Sequence, residues 1–239
     1  MSYTSQTNLA YNKTFGKHNI NAVLAYEVMK YDYEDMYVEK QVYGQTLNPS
    51  LDNGAKPADL TNTRQEDAMV SYVGSLNYGY NDKYYAGFSF RRDGSSRFGK
   101  NERFGSFPAF SAGWIISEEN FLKDNATVTF LKLKGSWGKL GNAELGNFAS
   151  RQLYESKPYN LKSGLSFSQA GNDNLTWEKS TQIDFGVEFG LLNRISVEAD
   201  YYKKNTNGLL FKVPLSISSG ASTINQNIGE VQSSGVEFT

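Results

Sequence analysis

Along most of the chain apolar and polar residues alternate with a period of two, the pattern of strands whose two faces meet different surroundings. Val70, Tyr72, Leu76, Tyr78 and Tyr80 fall on one face, with Ser71, Ser75, Asn77 and Gly79 on the other. Beyond Asn81, Tyr84, Ala86, Phe88 and Phe90 alternate with Gly87, Ser89 and Arg91. The rule returns at Leu131, Leu133 and Trp137 against Lys132, Lys134 and Ser136, and at Ile183, Phe185, Val187 and Phe189 against Gln182, Asp184, Gly186 and Glu188. Ile195, Val197, Ala199 and Tyr201 against Ser196, Glu198 and Asp200 repeat it once more. The pattern predicts about nine strands, near residues 2–15, 20–43, 66–80, 84–97, 107–117, 127–138, 180–190, 195–211 and 229–239. Only Glu118–Asp124 suggests a helical turn. The expected class is all-β, an antiparallel up-and-down meander of long strands.

The connections between these strands sort by length. Short ones at 16–19, 81–83 and 191–194, with a medium one at 118–126, alternate with longer ones at 44–65, 98–106, 139–179 and 212–228. A meander sends alternate connections to opposite ends, so the short turns gather at one end and the long loops at the other. Transmembrane β-barrels have this asymmetry, and a soluble sandwich has no physical reason for it. Most of the strands also reach the roughly 9–11 residues that a tilted crossing of the hydrocarbon needs. Aromatics beside the short turns (Tyr11, Phe15, Tyr78, Tyr80, Tyr84, Tyr85, Trp114, Phe121 and Phe189) suit an interfacial girdle, and the polar face suits an aqueous lumen. Nine strands and an alternation that runs into the last residues predict a partial barrel wall. An open sheet alone would leave unpaired edges, each unsatisfied group costing several kcal/mol in lipid.

Composition fits this picture and removes others. The chain has 16 Tyr, 15 Phe, 3 Trp and 22 Gly among 239 residues, yet it is hydrophilic on average. A lipid-facing stripe around a wet interior reconciles the two. With 24 basic and 25 acidic side chains there is no cationic excess for nucleic acid. The lack of cysteine removes disulfides, zinc–thiolate sites and thiol nucleophiles. No apolar run approaches the roughly 18 residues of a membrane helix.

Candidate chemistry is sparse. His18, the one histidine, falls in a short turn and reads as solvated; without a partner base, catalytic constellations have nothing to stand on, and no enzyme is expected. Asp32, Glu34 and Asp35 lack calcium-loop spacing and read as a solvated strand end. Glu118-Glu119 fits the start of a helical turn better than a catalytic carboxylate pair. Arg91-Arg92-Asp93-Gly94-Ser95-Ser96-Arg97 reads as a hairpin tip tied by Asp93–Arg pairs, with an anion- or sugar-contacting loop as the sharper alternative. Flat aromatics beside amides suit sugars, so the long loop 139–179 is the expected ligand-contacting region. Its candidates are Tyr154, Tyr159, Phe167, Trp177 and Asn142, with Arg97 nearby and Asn147, Asn160 and Asn172 in support. Tyr43, Asn48, Asp52 and Asn53 around loop 44–65 form a weaker second group. No catalytic residue, metal or cofactor is expected.

Several segments together resemble a known family. They are RRDGSSRFGKN at 91–101, FPAFSAGW at 107–114, ISEENF at 116–121, LKLKGSWG at 131–138 with Gly141-Asn142, NDNLTWEK at 172–179, FGVEFG at 185–190, Asp200-Tyr201-Tyr202, Asn227-Ile228-Gly229 and GVEF at 235–238. Their order over residues 68–239 is similar to the C-terminal half of the barrel in SusC/RagA-type TonB-dependent outer-membrane transporters. The resemblance implies a barrel of about 22 strands filled by a plug. It also implies an outer-membrane location, a SusD-like lipoprotein lid, and a TonB complex acting through the plug region. Contact with outer-membrane lipid and import of a glycan or peptide follow from it. Residues 1–239 are then expected to be part of the barrel domain, without plug, TonB-contacting segment or closing strands. A secreted carbohydrate-binding β-sandwich is the alternative.

Overall fold

The computed structural model describes residues 2–43, 50–51, 54–123, 125–160 and 162–239. In chain order the strands are β1 (Ser2–Phe15), β2 (His18–Tyr43), β3 (Gly54–Tyr80), β4 (Tyr84–Ser95), β5 (Phe104–Ile115), β6 (Val128–Asn142), β7 (Leu153–Ser156), β8 (Leu165–Ala170), β9 (Glu178–Leu191), β10 (Ile195–Asn207), β11 (Leu210–Pro214), β12 (Thr223–Asn227) and β13 (Glu230–Phe238). Nine of them form one sheet in the order β1-β2-β3-β4-β5-β6-β9-β10-β13, every neighbouring pair antiparallel. This is the expected meander.

The short turns carry the backbone that tight hairpins demand. Gly16 lies at φ +58°, Asn81 and Asp82 both at 54°, and Leu192 and Asn193 at 51° and 53°. Paired left-handed residues match the twist of the flanking strands, and Asn and Asp tolerate that region. The β5–β6 connection holds a single 3₁₀ turn, Ile116–Glu118, continued by turns through Lys123.

Register makes the two faces explicit. Tyr80, Tyr84, Trp114, Leu133, Val187, Ala199 and Phe238 stand side by side across six strand pairs. One residue away, on the opposite face, Gly79, Tyr85, Gly113, Lys134, Gly186, Asp200 and Glu237 form the matching row. The first face leaves Leu9, Leu24, Phe88, Phe110 and Phe185 exposed. Among the described residues no second sheet covers it, so the sandwich alternative fails: its inner face would be buried. An apolar face this extensive needs lipid.

Three expectations change. Residues 54–65 are strand rather than loop, because β2 and β3 stay paired from His18–Tyr80 to Tyr43–Gly54, with a register shift between Glu39 and Lys40. The segment GAKPADLTNTRQ shows little alternation of apolar and polar residues, and it is held by backbone pairing with β2 together with ties such as Asn62 to Glu34. The loops 139–179 and 212–228 hold four short strands, which form a second sheet ordered β11-β12-β8-β7. Its β12–β8 pair is parallel, joining segments that no local pattern could link. A 3₁₀ turn at Ile217–Ser219 is likewise new.

Candidate substrate path and loop cluster

The polar face encloses a concavity of about 1120 Å³ near the short turns, lined by residues of β2–β6, β9, β10 and β13. Lysines and carboxylates interlock along it. Lys134 Nζ pairs with Glu198, with Asp200 at 3.0 Å and with Glu188 at 3.7 Å, while Lys132 Nζ meets Glu188 at 2.8 Å. The Ser136 hydroxyl and the Gln182 amide donate to Asp184 at 3.0 and 2.9 Å. Gly186 leaves room for this network, since a Cβ at that position would displace the Lys134 and Asp200 side chains. Such a wall is polar and, with Lys132 and Lys134 facing Glu188, Glu198, Asp200 and Asp184, carries an excess of carboxylates. Among the described residues no group of three or more His, Asp or Glu could hold a metal ion.

At the short-turn end the aromatic belt is anchored by Glu119. The Tyr84 hydroxyl donates to Glu119 Oε1 at 2.5 Å and the Trp114 indole N–H at 3.2 Å, while Lys83 Nζ reaches Oε2 at 3.4 Å. Those hydrogen bonds, Tyr84 first and then Trp114, with the Lys83 charge beside them, hold the Glu119 carboxyl below its ordinary range. Glu119 is therefore a clamp between turn and belt, a role beyond helix-start charge. His18 also differs from its expected solvated state. It is half-buried, stacks on Phe15 at 5.2 Å and shares a 2.7 Å hydrogen bond with the Tyr78 hydroxyl. Tyr85 leaves the expected girdle, lining the inner concavity with its hydroxyl donating to the Asp82 carbonyl.

At the long-loop end lies the only compact apolar core among the described residues, made of Phe98, Phe107, Ala149, Leu175 and Trp177. Trp177 is 3 % exposed, its ring 4.6 Å from Phe98 and 5.4 Å from Phe107, and its indole N–H donates to the Arg103 carbonyl at 3.0 Å. Buried amides tie the loops together. The Asn225 amide donates to the Ala149 carbonyl at 2.7 Å and to Gln169 Oε1 at 3.1 Å; Gln169 in turn donates to the Phe148, Ala149 and Arg151 carbonyls. Asn227 both donates to and accepts from the Thr176 backbone.

The candidates divide on this frame. Trp177 is a core residue with both polar and apolar surface engaged. Tyr154 and Tyr159 are exposed, and Tyr154 packs on half-buried Phe167 at 5.5 Å while receiving a hydrogen bond from Gln152. Asn142 is tied to Glu178 and to the Glu144 backbone. Arg97 pairs with Asp67 at 3.2 Å and reaches the Ala143 carbonyl, and its Nε is buried without a partner. It shares a cleft with Tyr31, Asn147 and Phe148. Asn160 occupies a left-handed turn at φ 48°, and Asn172 donates to the Asn225 carbonyl as another tie. Asn48, Asp52 and Asn53 lie outside the described residues, as does the Tyr43 side chain. Arg91 grips Asp93 at 2.7 and 2.8 Å and reaches Ser71, as the Arg–Asp expectation held, though on the strand rather than at a tip. Asp32 and Glu66 both pair with Arg64, and Glu34 accepts from Asn62, within the paired β2–β3 extension. Sequence reasoning missed Asn225 and Gln169, since nothing local distinguishes a buried amide from a solvated one.

A single apolar-outside, polar-inside meander with short turns at one end and folded loops at the other defines a transmembrane β-barrel wall. Residues 1–239 match the family described as TonB dependent receptor-like, beta-barrel, and the chain belongs to it. It is an outer-membrane β-barrel protein. It is 36% identical over 242 residues to TonB-dependent receptor P3 of Formosa agariphila, covering 98% of this chain and 24% of that protein. It is 40% identical over 196 residues to TonB-dependent receptor SusC of Bacteroides thetaiotaomicron, covering 77% of the chain and 19% of SusC. The solved RagAB peptide transporter superposes with a TM-score of 0.89 at 31% identity, over 99% of this chain and 27% of that one. The chain thus spans about a quarter of the length of these relatives.

Proposed function

We propose that this chain supplies wall and outer loops to a SusC/RagA-type importer that carries oligosaccharides or peptides across the outer membrane. The observation that carries this reading is the polar concave face, continuous from the short turns to a folded loop cluster at its other end. The ion-paired wall offers a hydrated path, the apolar face and aromatic belt hold it in lipid, and the loops present exposed aromatics and amides to substrate. Opening of the path would require TonB acting through a plug region outside residues 1–239, and a SusD-like lipoprotein would cover the loop end. The likeness to the RagAB peptide transporter supports a peptide, and the aromatic–amide character of loop 139–179 supports a glycan. The test is deletion of the full-length gene, followed by growth on oligosaccharides or on peptides as sole carbon source. Loss of growth on one of the two supports import; unchanged growth on both, or recovery of the full-length protein from the soluble fraction, overturns it.

A further inference from the structure

The loop end holds a cleft of about 470 Å³ lined by Ser96, Lys100, Arg103, Ser150, Arg151 and Gln152, with Phe98, Gly171 and Asp173 completing it. Three cations thus face one carboxylate, in a chain whose overall charge is −1. Asp173 is taken by Lys100 at 2.9 Å. The nearby Glu102 carboxylate is turned to the Thr176 hydroxyl, at 3.5 Å. Among the described residues, neither the Arg103 nor the Arg151 guanidinium has an acidic partner. That of Arg151 lies over the Phe148 ring at 5.4 Å. The backbones carrying the two arginines are fixed by the loop core: the Arg103 carbonyl accepts from Trp177 and from the Ser95 amide, and the Arg151 carbonyl accepts from Gln169. Two exposed arginines, their backbones held by the loop core and their side chains without a carboxylate partner among the described residues, thus bring planar donors to one cleft.

We propose that this cleft is an anion-recognising subsite for an oligosaccharide bearing carboxylate or sulfate groups. Arg103 and Arg151 would grip the anionic group and Ser96, Ser150 and Gln152 would bond neighbouring hydroxyls. The sugar partner follows from Tyr154, whose exposed ring is joined to the cleft by the Gln152 hydrogen bond and offers a flat face for stacking. The proposal rests on the import reading and narrows its substrate class.

The test uses the full-length transporter in detergent, with binding measured by calorimetry. The probes are tetragalacturonate, a sulfated galactan tetrasaccharide, neutral maltotetraose and tetraglutamate. One of the two anionic saccharides is expected to bind more tightly than maltotetraose, with affinity falling as NaCl is raised. Which one binds separates carboxylate from sulfate. The pair Arg103→Gln and Arg151→Gln should weaken that binding about 10- to 100-fold, the range for lost charge-assisted hydrogen bonds, while Arg151→Lys retains more of it than Arg151→Gln. Unchanged heat-dependent gel mobility shows that each variant is folded. Equal affinity for neutral and anionic saccharides, wild-type affinity in the double variant, or binding of tetraglutamate alone overturns the proposal. If no probe binds while the deletion strain still loses growth on a saccharide or peptide, the subsite falls and import stands. If growth is also unchanged, both fall.

Discussion

Replacing Trp177 by Ala should unlatch the outer loops while leaving the membrane wall intact. The indole is 3 % exposed and sits between Phe98 and Phe107, so truncation removes a large aromatic and leaves a cavity that its rigid neighbours cannot fill. Buried Trp-to-Ala changes cost about 3–5 kcal/mol. The lost N–H adds little, because the Arg103 carbonyl keeps its bond from the Ser95 amide at 3.1 Å; Trp177→Phe, which removes that N–H and keeps an aromatic ring, should cost much less. At about 1.4 kcal/mol per factor of ten, the loop-opening constant should rise between roughly a hundredfold and a few thousandfold. Limited proteolysis of the full-length protein reads this directly, since cleavage follows the open population when opening and closing are fast. Cutting within 143–177 should accelerate by that factor in Trp177→Ala and far less in Trp177→Phe. The strand ladders do not involve Trp177, so heat-dependent mobility of the barrel should be unchanged. Wild-type cleavage rates in Trp177→Ala, or loss of the folded barrel, would refute this reasoning.

Three further outcomes are expected. Because Tyr84, Trp114 and Lys83 hold the Glu119 carboxyl below its ordinary range, the clamp's contribution is present above the unfolded-state pKa and fades as pH falls through the lowered folded value. Trp114 emission should therefore stay constant through mild acid and shift only in stronger acid, with no such transition in Glu119→Gln; a transition at the ordinary carboxylate pKa would contradict it. Asn225→Ala leaves Gln169 Oε1 and the Ala149 carbonyl without that donor, at a cost of about 1–3 kcal/mol, seen as faster amide exchange in β8 and β12 but not in β4 or β5. Phe110, exposed on the outer face between Phe88 and Trp137, should tolerate charge poorly: Phe110→Arg is expected to lose about 2–4 kcal/mol in refolding titrations into lipid vesicles, and unchanged stability would place that face out of the bilayer.

The alternating faces and the turn positions were legible because each is imposed locally, whereas the sorting of connections by length holds only in part, since 116–127 between β5 and β6 is longer than 96–103 between β4 and β5. A strand between lipid and water must alternate, and a tight turn must contain residues that accept positive φ, such as Asn81 and Asp82. Tyr80 and Tyr84 could therefore each be put on the apolar side of its strand before their rings were seen stacked 6.3 Å apart. The reach of β2 to Tyr43 was legible, but that of β3 to Gly54 was not, because residues 54–65 lack the alternation that marks a strand. Nor could the loop cluster. Trp177 meets Phe98 and the Arg103 carbonyl, and Asn225 meets Ala149, across more than seventy residues of chain. Whether an aromatic in loop 139–179 is left exposed, as Tyr154 and Tyr159 are, or is spent on packing, as Trp177 is, depends on those distant partners. The sequence by itself determined a wall with an apolar and a wet face. Only the tertiary structure decided which loop residues remain available, because that depends on contacts between segments that carry no pattern of their own.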